Sequence, residues 1–295
     1  MQVITSKDNE LIKSIKKLKE KKYRDAYGKF VIEGIKLIGE AIQENADIEC
    51  IVICEDCMKE NCIDKKLMYE IAKKNCVYVN SKVFNTITDV SNPQGILAVV
   101  KRADASEKIN YDEDAIIVLD GIQDPGNLGT ILRTVDSANL KQIVVSKDTV
   151  ECFNPKVVRS TMGAIFRVNI IESENLLETL KDIKENGYEI IVTSLDTKNS
   201  IYDIEYNKKV IVIGNEGNGV SKEIQDFLIH KLQRMIAEDF IVPTAEEKSL
   251  KGFEKDYASI YFAHAIFGAC QAWINKGKKE SPREMTDFLL RFIPQ

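Results

Sequence analysis

Five short runs limit what this chain can fold into: AIIVLD (115–120), QIVVS (142–146), VNII (168–171), EIIVTSL (189–195) and KVIVIG (209–214). Each is continuous in apolar, largely β-branched residues, without the alternation of a strand that keeps one face in water. Such runs belong to strands buried on both faces of a parallel sheet. Stretches at 127–138, 155–163 and 174–186 lie between them and read as helices. Parallel strands need crossovers of this kind. The pattern therefore predicts a doubly wound, Rossmann-like α/β sheet, whose ligands bind beyond the carboxyl ends of the strands.

A second alternating unit comes first. Residues 8–26 (DNELIKSIKKLKEKKYRDA) carry Leu11, Ile12, Ile15 and Leu18 at three-to-four spacing, which predicts one amphipathic helix. Its other face holds Lys13, Lys16, Lys17, Lys19, Lys21, Lys22 and Arg24. Strands at KFVIEG, 48–54, 76–80 and 95–102 and a helix at 35–44 complete an α/β unit over residues 1–105. The polar segment 103–113 reads as a linker to a domain over 113–226. From 227 to 295 no strand is legible, and helices are expected at roughly 223–239, 253–276 and 282–292. Ser281, Pro282 and Glu284 form a helix start, with a cap, a proline at the first position and a capping-box acid.

Two motifs carry chemistry-bearing residues. LDGIQDPGNLGTILRT ends one buried strand and opens a helix. Asp124-Pro125-Gly126-Asn127 gives a turn, and Asn127 is placed to cap the helix that follows. Arg133 lies two turns further on, a permanent cation suited to phosphate or to a ribose hydroxyl. GNEGNGVSKEI follows another buried strand. Gly214, Gly217 and Gly219 allow a tight loop whose amides could face a ligand. Neither motif is a P-loop or a dinucleotide fingerprint. Taken singly, the first is compatible with any strand-turn-helix bearing a surface arginine, and the second with any glycine-rich loop.

Composition excludes some classes. The chain has 295 residues and a net charge of −5, so nucleic-acid binding must come from local patches. The lysine-rich face is such a patch, capable of holding phosphate non-specifically; a solvated helix face is the alternative. No signal segment or apolar run long enough for a membrane span is legible, which leads us to expect a cytoplasmic protein with no membrane partner. The seven cysteines do not suggest structural disulfides. Cys50, Cys54, Cys57 and Cys62 crowd together, and the C-x-x-C pair raises a zinc site. Cys50, Val52 and Cys54 would instead share one face of a buried strand, with the thiols as small hydrophobes. We favour that reading and expect no metal.

In this order and spacing, the two motifs resemble those of the SpoU/TrmH (SPOUT) family of knotted RNA methyltransferases. NPKVVRSTMGAIFRV (154–168) is similar to the same family, and SIKKLKEKKYRDAYGKFVIEG resembles its ribosomal-protein-like substrate-binding domain. The resemblance spans residues 4–225. It implies an S-adenosylmethionine-dependent RNA ribose 2′-O-methyltransferase acting on ribosomal RNA, working as a homodimer. Arg133 and Asn127 would be catalytic, with Arg133 contacting the RNA and helping to activate the attacking hydroxyl. Gly214, Glu216 and Gly217 would bind the methyl donor. Methyl transfer from a sulfonium needs in-line positioning and modest base help, which suits the absence of a catalytic histidine. His264, in the apolar run SIYFAHAIFGACQAW, reads as a core or interface residue.

The family's third motif, whose strand threads the knot and closes the donor pocket, is not found. Its nearest echo is IVPTAEEKSL (241–250), with Pro243, Glu247 and Ser249 at unsuitable spacing. Residues 227–295 instead resemble the C-terminal ligand-binding and dimerisation half of tetracycline-repressor-type regulators. A chimeric gene, or a replaced tail, has this appearance. The alternatives to an active enzyme are then a catalytically impaired RNA-binding protein and a ligand-responsive regulator, though no DNA-binding element is visible. Ile260, Phe267, Trp273 and Leu289 could not all be covered by three helices alone.

Overall fold

The computed structural model describes residues 3–57, 63–102, 108–193 and 205–228, together with positions 202, 257, 260–261, 264–269, 272–273, 280–281, 284–285 and 288–289. Two compact units divide the chain, Met1–Ser221 and Lys222–Gln295. The first contains two five-stranded sheets.

The N-terminal sheet is built from β1 (Val3–Ile4), β2 (Lys29–Glu33), β3 (Ile48–Cys54), β4 (Cys76–Val79) and β5 (Ile96–Lys101), in the order β1-β4-β3-β5-β2. β4 runs parallel to β1 and β3, whereas β5 is antiparallel to both β3 and β2. Five helices accompany it: α1 (Glu10–Lys17), α2 (Lys21–Tyr27), α3 (Ile35–Gln43), α4 (Lys65–Ala72) and α5 (Ser81–Phe84). The pleat sorts the side chains. Cys50, Val52, Cys54, Leu97 and Val99 pack with Ile12, Ile15, Leu18, Val83 and Phe84. Ile51, Ile96, Ala98 and Val100 pack on the opposite face with Leu37, Ile38, Ala41 and Ile71. Each fully buried isoleucine or leucine contributes about 1.5–3 kcal/mol.

The single helix expected over 8–26 is two, because of Arg24. Its guanidinium is buried, and Nη1 donates to the Leu18 carbonyl at 2.7 Å. A continuous helix would commit that carbonyl to the amide four residues on. The chain instead leaves helical geometry at Glu20 (ψ 134°) and restarts. Arg24 also pairs with the Glu151 carboxylate, so it does not belong to the lysine face. The short elements β1, α4 and α5 were not legible in the sequence.

The expectation of unpaired thiols fails at one place. β3 ends at Cys54, the Cys57 amide donates back to the Cys54 carbonyl at 3.3 Å, and this turn brings the two sulfurs together as a disulfide. Cys50 remains a free thiol on the buried face, where burial pushes it up to about 11. Cys62 lies outside the described residues. Among the described residues no cluster of side chains has the makings of a metal site.

The second sheet comprises β6 (Ala115–Asp120), β7 (Gln142–Ser146), β8 (Asn169–Ser173), β9 (Glu189–Val192) and β10 (Lys209–Gly214), with α6 (Pro125–Ser137), α7 (Pro155–Thr161) and α8 (Leu176–Glu185). Its order is β8-β7-β6-β10-β9, and every neighbouring pair is parallel. Ile117, Leu119, Ile143, Val145 and Ile211 share one core with Leu128, Leu132 and Val157 of α6 and α7. The alternate residues Ile116, Val118, Val144, Val210 and Val212 are buried as well. Both faces are therefore covered, as the continuous apolar runs require. The chain winds outward from β6 to β8 and then returns to place β10 beside β6, so the winding reverses between β6 and β10.

The two sheets are joined inside one unit. Phe30 packs against Phe153 and Phe166, with ring centroids 5.0 and 6.4 Å apart. Val158 of α7 enters the core of the first sheet. Arg167 bonds Glu40 at 2.6 Å from one side and Asp136 at 2.8 Å from the other.

In the unit Lys222–Gln295, Ser281 and Glu284 form the expected capping box. The Ser281 amide donates to Glu284 Oε2 at 2.8 Å, and the Glu284 amide to Ser281 Oγ at 3.2 Å. His264 is not a core residue: it is exposed, with Nδ1 2.8 Å from the Ile260 carbonyl. Ile260 is exposed, and Phe267, Trp273 and Leu289 are partly covered. Residues 241–250, the nearest echo of the third motif, lie outside the described residues. Among the described residues, no helix is long and apolar enough to cross a membrane.

Candidate active site

The crevice between β6 and β10 is where the two motifs meet. The strands end level, with Asp120 opposite Gly214. Asp120 is buried, and its carboxylate accepts the Ser221 amide at 2.6 Å. Gly121, at φ +72°, turns the chain out of the sheet. Its amide donates to Ser146 Oγ at 3.0 Å and its carbonyl accepts Asn215 Nδ2 at 2.9 Å. A side chain at that φ would be strained.

Asp124, not Asn127, caps α6. Its Oδ1 accepts the amides of Gly126 at 2.7 Å and Asn127 at 2.9 Å, with Pro125 at the first helical position. A proline belongs just inside the cap, so the residue before it takes the capping role. Asn127 thereby keeps its side chain for another partner, and its Nδ2 donates to Glu216 Oε1 at 2.9 Å. Glu216 also accepts the amides of Gln123 and Asp124, each at 3.4 Å. The Asn127 hydrogen bond first, then the backbone amide of Glu216 itself, and last those of Gln123 and Asp124, hold the Glu216 carboxyl below its ordinary 4.5.

The second loop is closed upon itself. Asn215 Oδ1 accepts the amides of Gly217 and Asn218 at 2.9 and 3.0 Å, and Asn215 and Gly219 exchange both backbone hydrogen bonds. The amides expected to face a ligand are thus turned inward, because the Asn215 side chain competes for them. The carbonyls of Glu216, Gly217 and Asn218 accept no hydrogen bond among the described residues. Gly214 is needed for this closure: a Cβ there would sit 2.2 Å from the Gly219 carbonyl carbon and the Val220 nitrogen. Gly217 has room, with its nearest neighbour 3.6 Å away.

Four of the five residues singled out thus lie at the mouth of one crevice: Asn127 in the first turn of α6, Gly214 at the end of β10, and Glu216 and Gly217 in the loop after it. Arg133 stands further along α6, exposed, with no ion pair among the described residues. Lys156, at the start of α7, brings a second cation 3.9 Å from Asp124. α6 is pressed onto α7 at Gly129, where a Cβ would meet that of Ser160 at 2.3 Å. Sequence reasoning missed the network of Asp120, Ser146 and Asn215. The available signal was a polar residue closing, or directly following, each of three apolar strands.

A model of the SpoU rRNA methylase family matches residues 114–234. A Staphylococcus saprophyticus protein assigned to the TrmH family of tRNA/rRNA methyltransferases is 31% identical over 214 residues, 68% of this chain and 85% of that protein. The chain belongs to the SpoU/TrmH family. Among its relatives is the Bacillus subtilis 23S rRNA (guanosine(2553)-2′-O)-methyltransferase RlmP, 29% identical over 75% of this chain and 85% of that one. The crystal structure of an S-adenosylmethionine-bound rRNA methyltransferase from Sinorhizobium meliloti is 28% identical, with a TM-score of 0.65 over 76% of this chain and 85% of that one. An MRM3-like substrate-binding domain model matches residues 9–98. A third model, a transcriptional regulator C-terminal region, matches residues 217–295 and overlaps the methylase match.

Proposed function

We propose that this family member transfers a methyl group from S-adenosylmethionine to a ribose 2′-hydroxyl of ribosomal RNA. The observation that carries the reading is the Asn127–Glu216 hydrogen bond, which ties the first motif to the second across the winding reversal. The loop chemistry suits the methyl donor. S-adenosylmethionine presents hydroxyl, amino and ammonium donors around a cationic sulfur. A loop whose amides are internally satisfied offers such a molecule carbonyl oxygens and the Glu216 carboxylate. Gly214, Glu216 and Gly217 would hold it, and when bound it supplies an electrophilic methyl group.

The remaining work falls to this chain's residues. Asn127 fixes Glu216, and thereby the spacing between the two loops. Arg133, unpaired within the described residues, is free to bind the RNA backbone and, as a fixed cation, to activate the attacking hydroxyl by stabilising the negative charge that develops on its oxygen as its proton leaves to solvent. Holding nucleophile and methyl donor in line supplies most of the rate, since proximity effects reach about 7–11 kcal/mol. We assign RNA recognition to residues 1–105, methyl transfer to 113–226, and a helical tail to 227–295. We also read the protein as a cytoplasmic homodimer, with the tail, similar to the regulator C-terminal region, contributing to subunit contact.

The test is incubation of purified protein with ribosomal RNA and radiolabelled S-adenosylmethionine, followed by alkaline hydrolysis. Label retained in an alkali-resistant dinucleotide is the expected result. RNA binding without transfer would refute catalysis and fit a protein that lost it with the third motif. Because that motif is not found, we expect weaker donor binding than in an intact relative. Calorimetry showing equally tight binding would refute that expectation.

A further inference from the structure

The lysines of α1 and α2 are not the only basic surface on the N-terminal sheet. α4 lies on the opposite face: Ile71 and Leu67 turn inward with Leu37 and Ile38, whereas the α1 residues Ile12 and Ile15 pack on the other side of the sheet. The outward stripe of α4 is Lys65, Met68, Tyr69, Ala72 and Lys73, all exposed, with Lys66 exposed beside it. Tyr69 is 65% exposed and Met68 51%. The Lys73 ammonium sits 4.2 Å from the Tyr69 ring centroid. Two acids lie on the same helix. Asp64 is engaged as the N-cap, and Glu70 bonds Lys73 at 2.8 Å on the surface, where such a pair is weak.

We propose that this face of α4 is a second contact surface for RNA, specifically for unpaired nucleotides. An exposed ring flanked by cations combines what single-stranded recognition uses: a platform on which a base stacks, and ammonium groups for the phosphates on either side. In a chain whose net charge is −5, a stripe carrying Lys65, Lys66 and Lys73 is complementary to a polyanion and to few other partners. Because the sheet separates α4 from α1, an RNA touching both surfaces must wrap the domain. The proposal rests on the RNA-methyltransferase reading and deepens it.

The experiment measures fluorescence anisotropy of labelled oligouridylate and of a duplex of equal length, with the full-length protein, at several salt concentrations. Tyr69→Ala should weaken oligouridylate binding by roughly 5- to 100-fold and leave the duplex nearly unchanged, because stacking needs a free base. Tyr69→Phe should retain binding. Replacing Lys65, Lys66 and Lys73 with glutamine should reduce the salt slope by up to about two, at about 0.7 per lost phosphate contact. Circular dichroism and S-adenosylmethionine affinity, both expected to be unchanged, show that the variants fold. If wild type binds RNA and Tyr69→Ala and the lysine variant bind it equally well, the surface proposal is overturned alone. If light scattering shows that Tyr69→Ala dissociates an oligomer, the face is a subunit contact and the proposal is overturned. If wild type binds no RNA, the proposal and the functional reading it rests on fall together.

Discussion

Gly129→Ala sets two physical rules against each other. Glycine in a helix interior is about 1 kcal/mol less favourable than alanine, so on propensity alone the substitution stabilises α6. The contact with α7 reverses the sign. A Cβ on residue 129 would lie 2.3 Å from Ser160 Cβ and 2.9 Å from its carbonyl carbon. Carbon atoms rest at about 3.5–4.0 Å, so α7 must withdraw by roughly 1 Å or more. α7 cannot withdraw freely, because Val157 is fully buried in the same core as Leu128 and Leu132. Overpacking of this kind costs about 1–3 kcal/mol. A 2.3 Å carbon–carbon approach falls in the upper part of that range, about 2–3 kcal/mol, so against the propensity gain the net loss is roughly 1–2 kcal/mol. The same movement displaces Asn127 and Arg133, and a misplacement of about 1 Å can lower turnover by about 100-fold. Urea denaturation followed by circular dichroism reads the first effect and labelled-methyl transfer the second. Thr130→Ala, one exposed position along, serves as the neutral control. Ser160→Gly in the Gly129→Ala background removes the closest atom and should recover part of both losses. A Gly129→Ala protein as stable as wild type would refute the argument.

The other predictions concern single groups. Arg24→Ala should destabilise by about 3 kcal/mol, because it strips the nearly buried Glu151 carboxylate of its main partner; the remaining bond from Arg102, at 3.3 Å, keeps the loss at the lower end for buried pairs. A double-mutant cycle with Glu151→Ala should show the two changes to be far from additive. Arg133→Ala should lower turnover by about 100-fold or more while shifting stability by less than about 0.5 kcal/mol, since the side chain is exposed. Arg133→Lys should restore little, because lysine lacks the planar fork. The Glu216 carboxyl is held below 4.5 in the folded protein, so the loop closure it provides is fully present above that value and is lost as pH falls through the lowered one. Donor affinity should therefore fall on acidification below about pH 4.5, and Glu216→Gln should flatten that dependence.

How much of this was legible in the sequence follows from which forces act locally. The parallel sheet was readable because a strand buried on both faces must be apolar at every position, and β-branched runs such as KVIVIG record that directly. The direction of β5 was not, since Leu97 and Val99 pack the same way whichever end of the strand comes first. The break between α1 and α2 was invisible because its cause, Arg24, is satisfied by Glu151, 127 residues away. α4 was missed for the opposite reason. Its outward stripe of Met68, Tyr69 and lysines blurs the contrast with its few inward residues, so the helical period does not stand out.

The site follows the same division. Asp124 and Asn127 are both good caps three residues apart, and the proline between them decides which one acts. Once Asp124 is committed, the Asn127 amide has a donor to place, and Glu216 accepts it from a loop 89 residues later. That pairing could not be derived from either motif alone, yet it makes two loops one site. The Asn215 side chain works against the sequence reading: by capturing the amides of Gly217 and Asn218 it turns inward the groups expected to face a ligand. A glycine-rich loop after a buried strand therefore does not by itself indicate an anionic ligand. Its sign depends on whether a nearby side chain takes the amides first, and here that sign suits the cationic methyl donor better than a phosphate.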